Sequence, residues 1–201
     1  MSRVNYDPED FTRVRELFNK AECFVKTVEM HESEISIPAI NELRYAGHHL
    51  LNSLGSDDRE GFDRELRKAE SHCQRAMYEA SESGILYFLG LVHEFGVDFK
   101  DVPITPVVPD YASTLALAKK ARDQLGAGRL DRVSAEQQAA EYMELFEKLE
   151  GKIETLTASR SELNKVKANK VTDRRRFVVG VMIGAVGIAI AIITLVVRLL
   201  G

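Results

Sequence analysis

The sequence predicts an all-α fold: a cytosolic helical bundle of four or five helices with a C-terminal single-pass transmembrane helix. Three observations predict it. Apolar residues recur at spacings of three and four along most of the chain, with no sustained alternation of apolar and polar residues of the kind a half-buried strand shows. From Phe177 to Val197, twenty-one residues carry no charge, and Thr194 is the only polar side chain among them. At about 1.5 Å per residue this spans the roughly 30 Å of a hydrocarbon core. Arg174, Arg175 and Arg176 stand directly before that segment, and Arg198 is the only charge after it. By the positive-inside rule the N-terminal side is cytosolic, and the arginines suit anionic headgroups.

The elements follow in order. Asp7-Pro8-Glu9-Asp10 is a helix start, with an N-cap residue, proline at the first position and acids in the first turn. Phe11, Val14, Leu17, Phe18, Ala21, Phe24, Val25 and Val28 keep one stripe, which carries the first helix to about Met30. Ser36-Ile37-Pro38 opens a second helix with Ile40, Leu43, Ala46, Leu50 and Leu54 on its apolar face, closed by Gly55. A third begins near Asp57 or Asp58, where Phe62, Leu66, Ala69, Cys73, Ala76 and Ala80 form a stripe of small residues that lets a neighbour approach closely. From Gly84 to Phe95 it is apolar nearly all round, as a buried helix is, and it ends near Gly96. Residues 101–109 hold three prolines and cannot be helix; their apolar character predicts a loop packed across the bundle. A fourth helix covers Tyr111 to Leu125. Ser134-Ala135-Glu136-Gln137 is a capping box opening a fifth. In the fifth, Tyr142, Phe146, Leu149, Ile153, Leu156 and Leu163 keep a 4-3 heptad, which fits either a parallel coiled-coil stalk between copies or packing along the third helix of the same chain. The boundaries are 1–133 for the bundle, 134–176 for a long helix or coiled-coil neck with a basic collar, and 177–199 for the membrane helix.

Composition narrows the function classes. A chain of 201 residues holds one ordinary domain. Two cysteines, both within helical patterns, are too few for a disulfide scaffold and suit buried reduced thiols. No Cys/His cluster has zinc spacing, and there is no phosphate-binding glycine loop or nucleophile elbow, so neither a metal nor a cofactor is expected. The net charge of −4 conceals a split: residues 1–163 sum to −10 and residues 164–176 to +5. An acidic head without a basic face argues against general nucleic-acid binding.

The candidates for chemistry are histidines. Arg44-Tyr45-Ala46-Gly47-His48-His49 and Arg67-Lys68-Ala69-Glu70-Ser71-His72 each place an arginine five residues before a histidine. If the second and third helices pair antiparallel, these groups can meet. On this spacing and its helical architecture over residues 1–130, the chain resembles the HEPN superfamily, compact helical bundles found widely in prokaryotic conflict systems. The resemblance implies a ribonuclease site in which His49 or His72 is general base on a ribose hydroxyl and Arg44 or Arg67 holds the phosphate. The plain alternative is surface and interhelical hydrogen-bonding histidines, since residues five apart on a straight helix point about 140° from each other. His72, Arg75 and Glu79 form a further polar stripe, either an intrahelical salt bridge or a binding patch for a partner or anionic ligand. In the membrane segment, Gly180, Gly184, Gly187, Ala191 and Thr194 recur at 4-3-4-3 spacing, a small-residue face that lets helix backbones associate.

The expectation is therefore a non-enzymatic, membrane-anchored interaction or effector protein that works as a homo-oligomer, with the lipid bilayer and a cytosolic protein as partners. The alternatives are a membrane-tethered HEPN-like ribonuclease of a prokaryotic defence system and a membrane-disrupting defence effector.

Overall fold

The computed structural model describes residues 8–127 and 135–200. Five helices follow one another: α1 (Pro8–Glu32), α2 (Ile37–Leu54), α3 (Arg59–Asp98), α4 (Tyr111–Ala127) and α5 (Ala135–Leu200). No strand occurs among the described residues. The 40-residue α3 is the axis, and α1, α2, α4 and α5 all pack on it. Its start is fixed by Asp58, whose carboxylate accepts from the Gly61 backbone N–H at 2.6 Å, an N-cap interaction of the ordinary kind. α1 stops at Ser33, which takes a left-handed φ of 57° while its N–H donates to the Glu29 carbonyl at 2.8 Å. Gly55 also closes α2, but without the left-handed turn that a terminal glycine leads one to expect: its φ is −93° and its N–H reaches the Asn52 and Ser53 carbonyls.

The core is built on aromatic rings from three helices. Phe88, Phe95 and Phe146 are buried together with Ile85, Leu149 and Leu163. Phe146 of α5 packs tilted on Phe88 of α3, with ring centroids 4.9 Å apart, and edge-on to Phe24 of α1 at 5.4 Å. α1 and α5 can close on α3 at this level because position 84 is glycine. A Cβ there would lie 2.7 Å from Cδ2 of Phe146 and 3.2 Å from Cγ1 of Val28. A smaller cluster of Val14, Phe62, Leu66 and Ala69, with Phe11 and Leu50 against it, joins α1, α2 and α3 at the far end.

The loop between α3 and α4 packs as its sequence predicts, burying Val102 and Val108. The two cysteines part company. Cys73 is buried, and loss of water pushes its thiol up to about 12, whereas Cys23 lies exposed beside the α1 stripe and is not a core thiol.

The 4-3 heptad of α5 is spent inside the chain. Tyr142, Phe146, Leu149, Leu156 and Leu163 are buried and Ile153 is half-buried against the same core. They are not a free seam for a second copy. The packed part of α5 extends well past residue 156. Arg160 pairs with Asp98 at 2.7 Å, Lys167 donates to the Asp98 carbonyl at 2.8 Å, and Lys170 donates to the Asp101 carbonyl. These lysines cover backbone oxygens at the C-terminal end of α3, where the helix dipole favours a cation.

Beyond this point α5 continues without interruption. Among the described residues no helix is long and apolar enough to cross a membrane. The segment read from Phe177 to Val197 has described side chains only as far as Ile188; those of residues 189–200, including Ala191 and Thr194, lie outside the described residues. So do the capping box at Ser134, the helix start at Asp7, and the side chain of Arg174.

Candidate functional site

α2 and α3 form an antiparallel hairpin closed by the short turn around Asp57. Glu42 and His72 each lie fifteen residues from Asp57, and His49 and Glu65 each lie eight residues from it. That symmetry makes both pairs cross-hairpin neighbours. His49 Nδ1 is 2.6 Å from Glu65 Oε2, and His72 Nδ1 is 2.6 Å from Glu42 Oε2. An ionised carboxylate only accepts, so in each pair the imidazole Nδ1–H donates. The two pairs point in opposite directions across the helices, and their rings stack: the His49 and His72 centroids are 5.1 Å apart with planes 10° from parallel.

The stack continues on both sides. Tyr45 lies 5.5 Å from His72 on one side, with the Arg44 guanidinium 5.3 Å above the tyrosine ring. His48 packs edge-on to His49 at 5.5 Å, and its Nε2 is 3.0 Å from the Asn52 amide nitrogen. The side chains of His49 and His72 keep 18 % and 17 % of their exposure, enough to reach a ligand at the surface and too little to swing freely.

Glu65 is the anchor of the cluster. Hydrogen bonds from Lys68 at 2.7 Å and then from His49 hold its carboxyl at about 2, well below the usual carboxylate range, against a burial effect of opposite sign. Because the folded value is depressed, its stabilising contribution is complete above the unfolded value near 4.5 and is lost as pH falls towards 2.

Chemically, a carboxylate on Nδ1 fixes ring orientation and tautomer and leaves Nε2 as the working nitrogen. Two such rings face to face have the groups of an acid–base couple, and they are also a polar clasp between two helices. The motif arginines do not complete a phosphate site around them. Arg44 stacks on Tyr45, and Arg67 is exposed, about 140° around α3 from His72. The stripe of His72, Arg75 and Glu79 is not knit along α3 through its histidine. His72 turns to Glu42 on α2, Arg75 is exposed and Glu79 is half-buried. A third interhelical pair, His31 Nε2 with Glu150 Oε1 at 2.6 Å, ties α1 to α5. Among the described residues no group of three or more His, Cys, Asp or Glu is placed to hold a metal ion.

Sequence reasoning brought His49 and His72 forward and missed both glutamates. Their symmetry about Asp57 was the available signal. It also missed an open apolar groove of about 770 Å³ between α1 and α2, lined by Phe11, Phe18, Gly47, Leu51 and Leu54 with Arg15, Arg44 and His48 at the edge.

Compared with protein-family models, curated proteins and solved structures, the chain matches none.

Proposed function

We propose that the chain is a membrane-anchored, self-associating helical module that acts by binding, with its bundle on the cytosolic side. The observation that carries this reading is the course of α5. One unbroken helix leaves the aromatic core and enters a stretch with apolar side chains exposed on every face, among them Phe177, Val178, Val181, Met182, Ile183, Val186 and Ile188. Water does not tolerate such a surface on a single helix, whereas lipid does. The sequence extends the uncharged stretch to Val197, and Arg174, Arg175 and Arg176 supply the headgroup contacts and the orientation.

Self-association rests on Gly180, Gly184 and Gly187, around whose Cβ positions there is nothing within 4 Å. They supply a small-residue face on which a second backbone can sit, and in the sequence Ala191 continues their spacing. Since the α5 heptad is buried in its own bundle, assembly falls to this face. Gly184→Leu is expected to leave membrane insertion unchanged and to lower the oligomer mass or its stability in mild detergent, read by native mass measurement. An unchanged oligomer would mean that the glycines are ordinary membrane-helix composition.

A second reading has one observation in its favour. The histidines of both Arg-x4-His motifs are brought into ring contact, each oriented by a glutamate, as a metal-independent ribonuclease of the HEPN kind would need. Under the binding reading the full chain does not cleave RNA, and His49→Ala or His72→Ala loosens the α2–α3 hairpin without removing a reaction. RNA cleavage without metal, abolished by either change and retained by Arg75→Ala, would establish the catalytic reading instead.

A further inference from the structure

We infer that the groove between α1 and α2 receives an acidic amphipathic helix from a partner protein. The inference rests on the binding-module reading and names the partner's chemistry. It begins with an inversion in α2. Against α3 this helix fully buries only small side chains, Ala39, Ala46 and Ser53, and half-buries Leu43 and Leu50, while Leu51 and Leu54 face outward, 71 % and 54 % exposed. A helix that only had to hold the bundle together would turn its large apolar groups inward. Phe11 and Phe18 of α1 form the opposite wall, and Gly47 leaves the space between open, with nothing within 4 Å of its Cβ position.

Shape selects the occupant. From Arg44 to Leu54 the groove wall is about 15 Å long, roughly three helical turns. That is the length over which a helix presents apolar anchors at i, i+3 or i+4, and i+7. The groove is open along its side, whereas small-molecule sites bury about 70–90 % of their ligand, so a fatty acyl chain would stay wet.

Charge selects its sign. The head sums to −10 over residues 1–163, yet the groove is edged by Arg15, Arg44 and His48, and no carboxylate lines it. A two-fold contact of groove on groove would bring two arginine-edged rims together. Acidic residues flanking the apolar face of a partner helix meet them instead.

The test uses the full chain in phosphatidylcholine nanodiscs. The probes are two labelled 18-residue helical peptides with the same leucine stripe, one flanked by glutamates and one by lysines, and empty nanodiscs are the control. The acidic peptide is expected to bind at least tenfold more tightly than the basic one, and to weaken as salt rises. Gly47→Leu fills the groove, suits a helix, and is expected to weaken the acidic peptide tenfold or more with a melting temperature no lower than the parent's. Arg15→Glu with Arg44→Glu reverses the preference between the peptides. Equal binding of both peptides, insensitivity to Gly47→Leu, or displacement of the acidic peptide by stoichiometric oleate overturns the proposal. A fall in oligomer mass in Gly47→Leu also overturns it and assigns the groove to a second copy. Entry of the chain into nanodiscs is read separately by size. If the chain stays out, the anchor reading fails, and the same titration in buffer still decides the groove.

Discussion

Gly84→Ala is expected to lower the melting temperature of the full chain by roughly 2–4 °C, although alanine is the better helix former by about 1 kcal/mol. The sign is set by packing. Position 84 lies where α1 and α5 press on α3, and a methyl group there meets the Phe146 ring at distances that real Cβ atoms do not occupy and presses tightly on Val28. Phe146 cannot simply turn aside, because Phe88 and Phe24 hold it on two further sides. Overpacking of this kind costs about 1–3 kcal/mol and exceeds the gain in propensity. Phe146→Leu in the Gly84→Ala background is expected to return part of the loss, while costing stability in the parent chain, so the two changes are non-additive in a double-mutant cycle. Thermal unfolding followed by circular dichroism checks both. A melting temperature that rises in Gly84→Ala would mean that the ring has room to move.

The second large effect concerns the anchor. Val181→Arg with Ile188→Arg is expected to release the chain from membranes into the soluble fraction under carbonate extraction. The two sites are seven residues apart and lie on one face of α5. Ile188 lies near the middle of the uncharged stretch, where an arginine costs about 2.5–3.5 kcal/mol on insertion scales, and an arginine at Val181, one turn inside the N-terminal end, costs less. Together they shift the partition on the order of a thousandfold, while the bundle, which ends its contacts near Lys170, keeps its melting temperature. In the parent chain a reporter at Gly201 is expected across the membrane from residues 1–173. A doubly substituted chain that still resists carbonate would place the attachment elsewhere.

Helix existence was legible because each helix carries its own punctuation. Pro38, Asp58 and the prolines of 101–109 mark ends by removing donors or capping them, and such signals are local. Which face of α5 is used was not legible. A 4-3 heptad is satisfied equally by a second copy or by α3, and only the tertiary fit of Phe146 over Gly84 decides between them. Cys23 misleads for a similar reason. One position of rotation separates a stripe from its margin, and a small apolar residue gives no sign of which side it falls on. The histidine site was half visible. His49 and His72 stand out by type, whereas Glu42 and Glu65 are two acids among 31, and their role depends on the register of the hairpin. The α1–α2 groove was hidden because Leu50 and Leu54 read as core, and only the choice of Ala39, Ala46 and Ser53 as the inner face turns Leu54 outward beside Leu51.

The unbroken course of α5 gears the head to whatever holds the other end. A straight helix advances about 100° per residue, so the azimuth of every residue after Leu163 is fixed relative to the bundle that Leu163 faces. Counted this way, Gly180, Gly184 and Gly187 fall about a quarter turn from the side occupied by α3. Two copies meeting through their glycines would therefore stand with their bundles beside the contact axis, neither colliding above it nor turned away from each other. A twist imposed on one head would turn the glycine face with it, since the helix between them has no break.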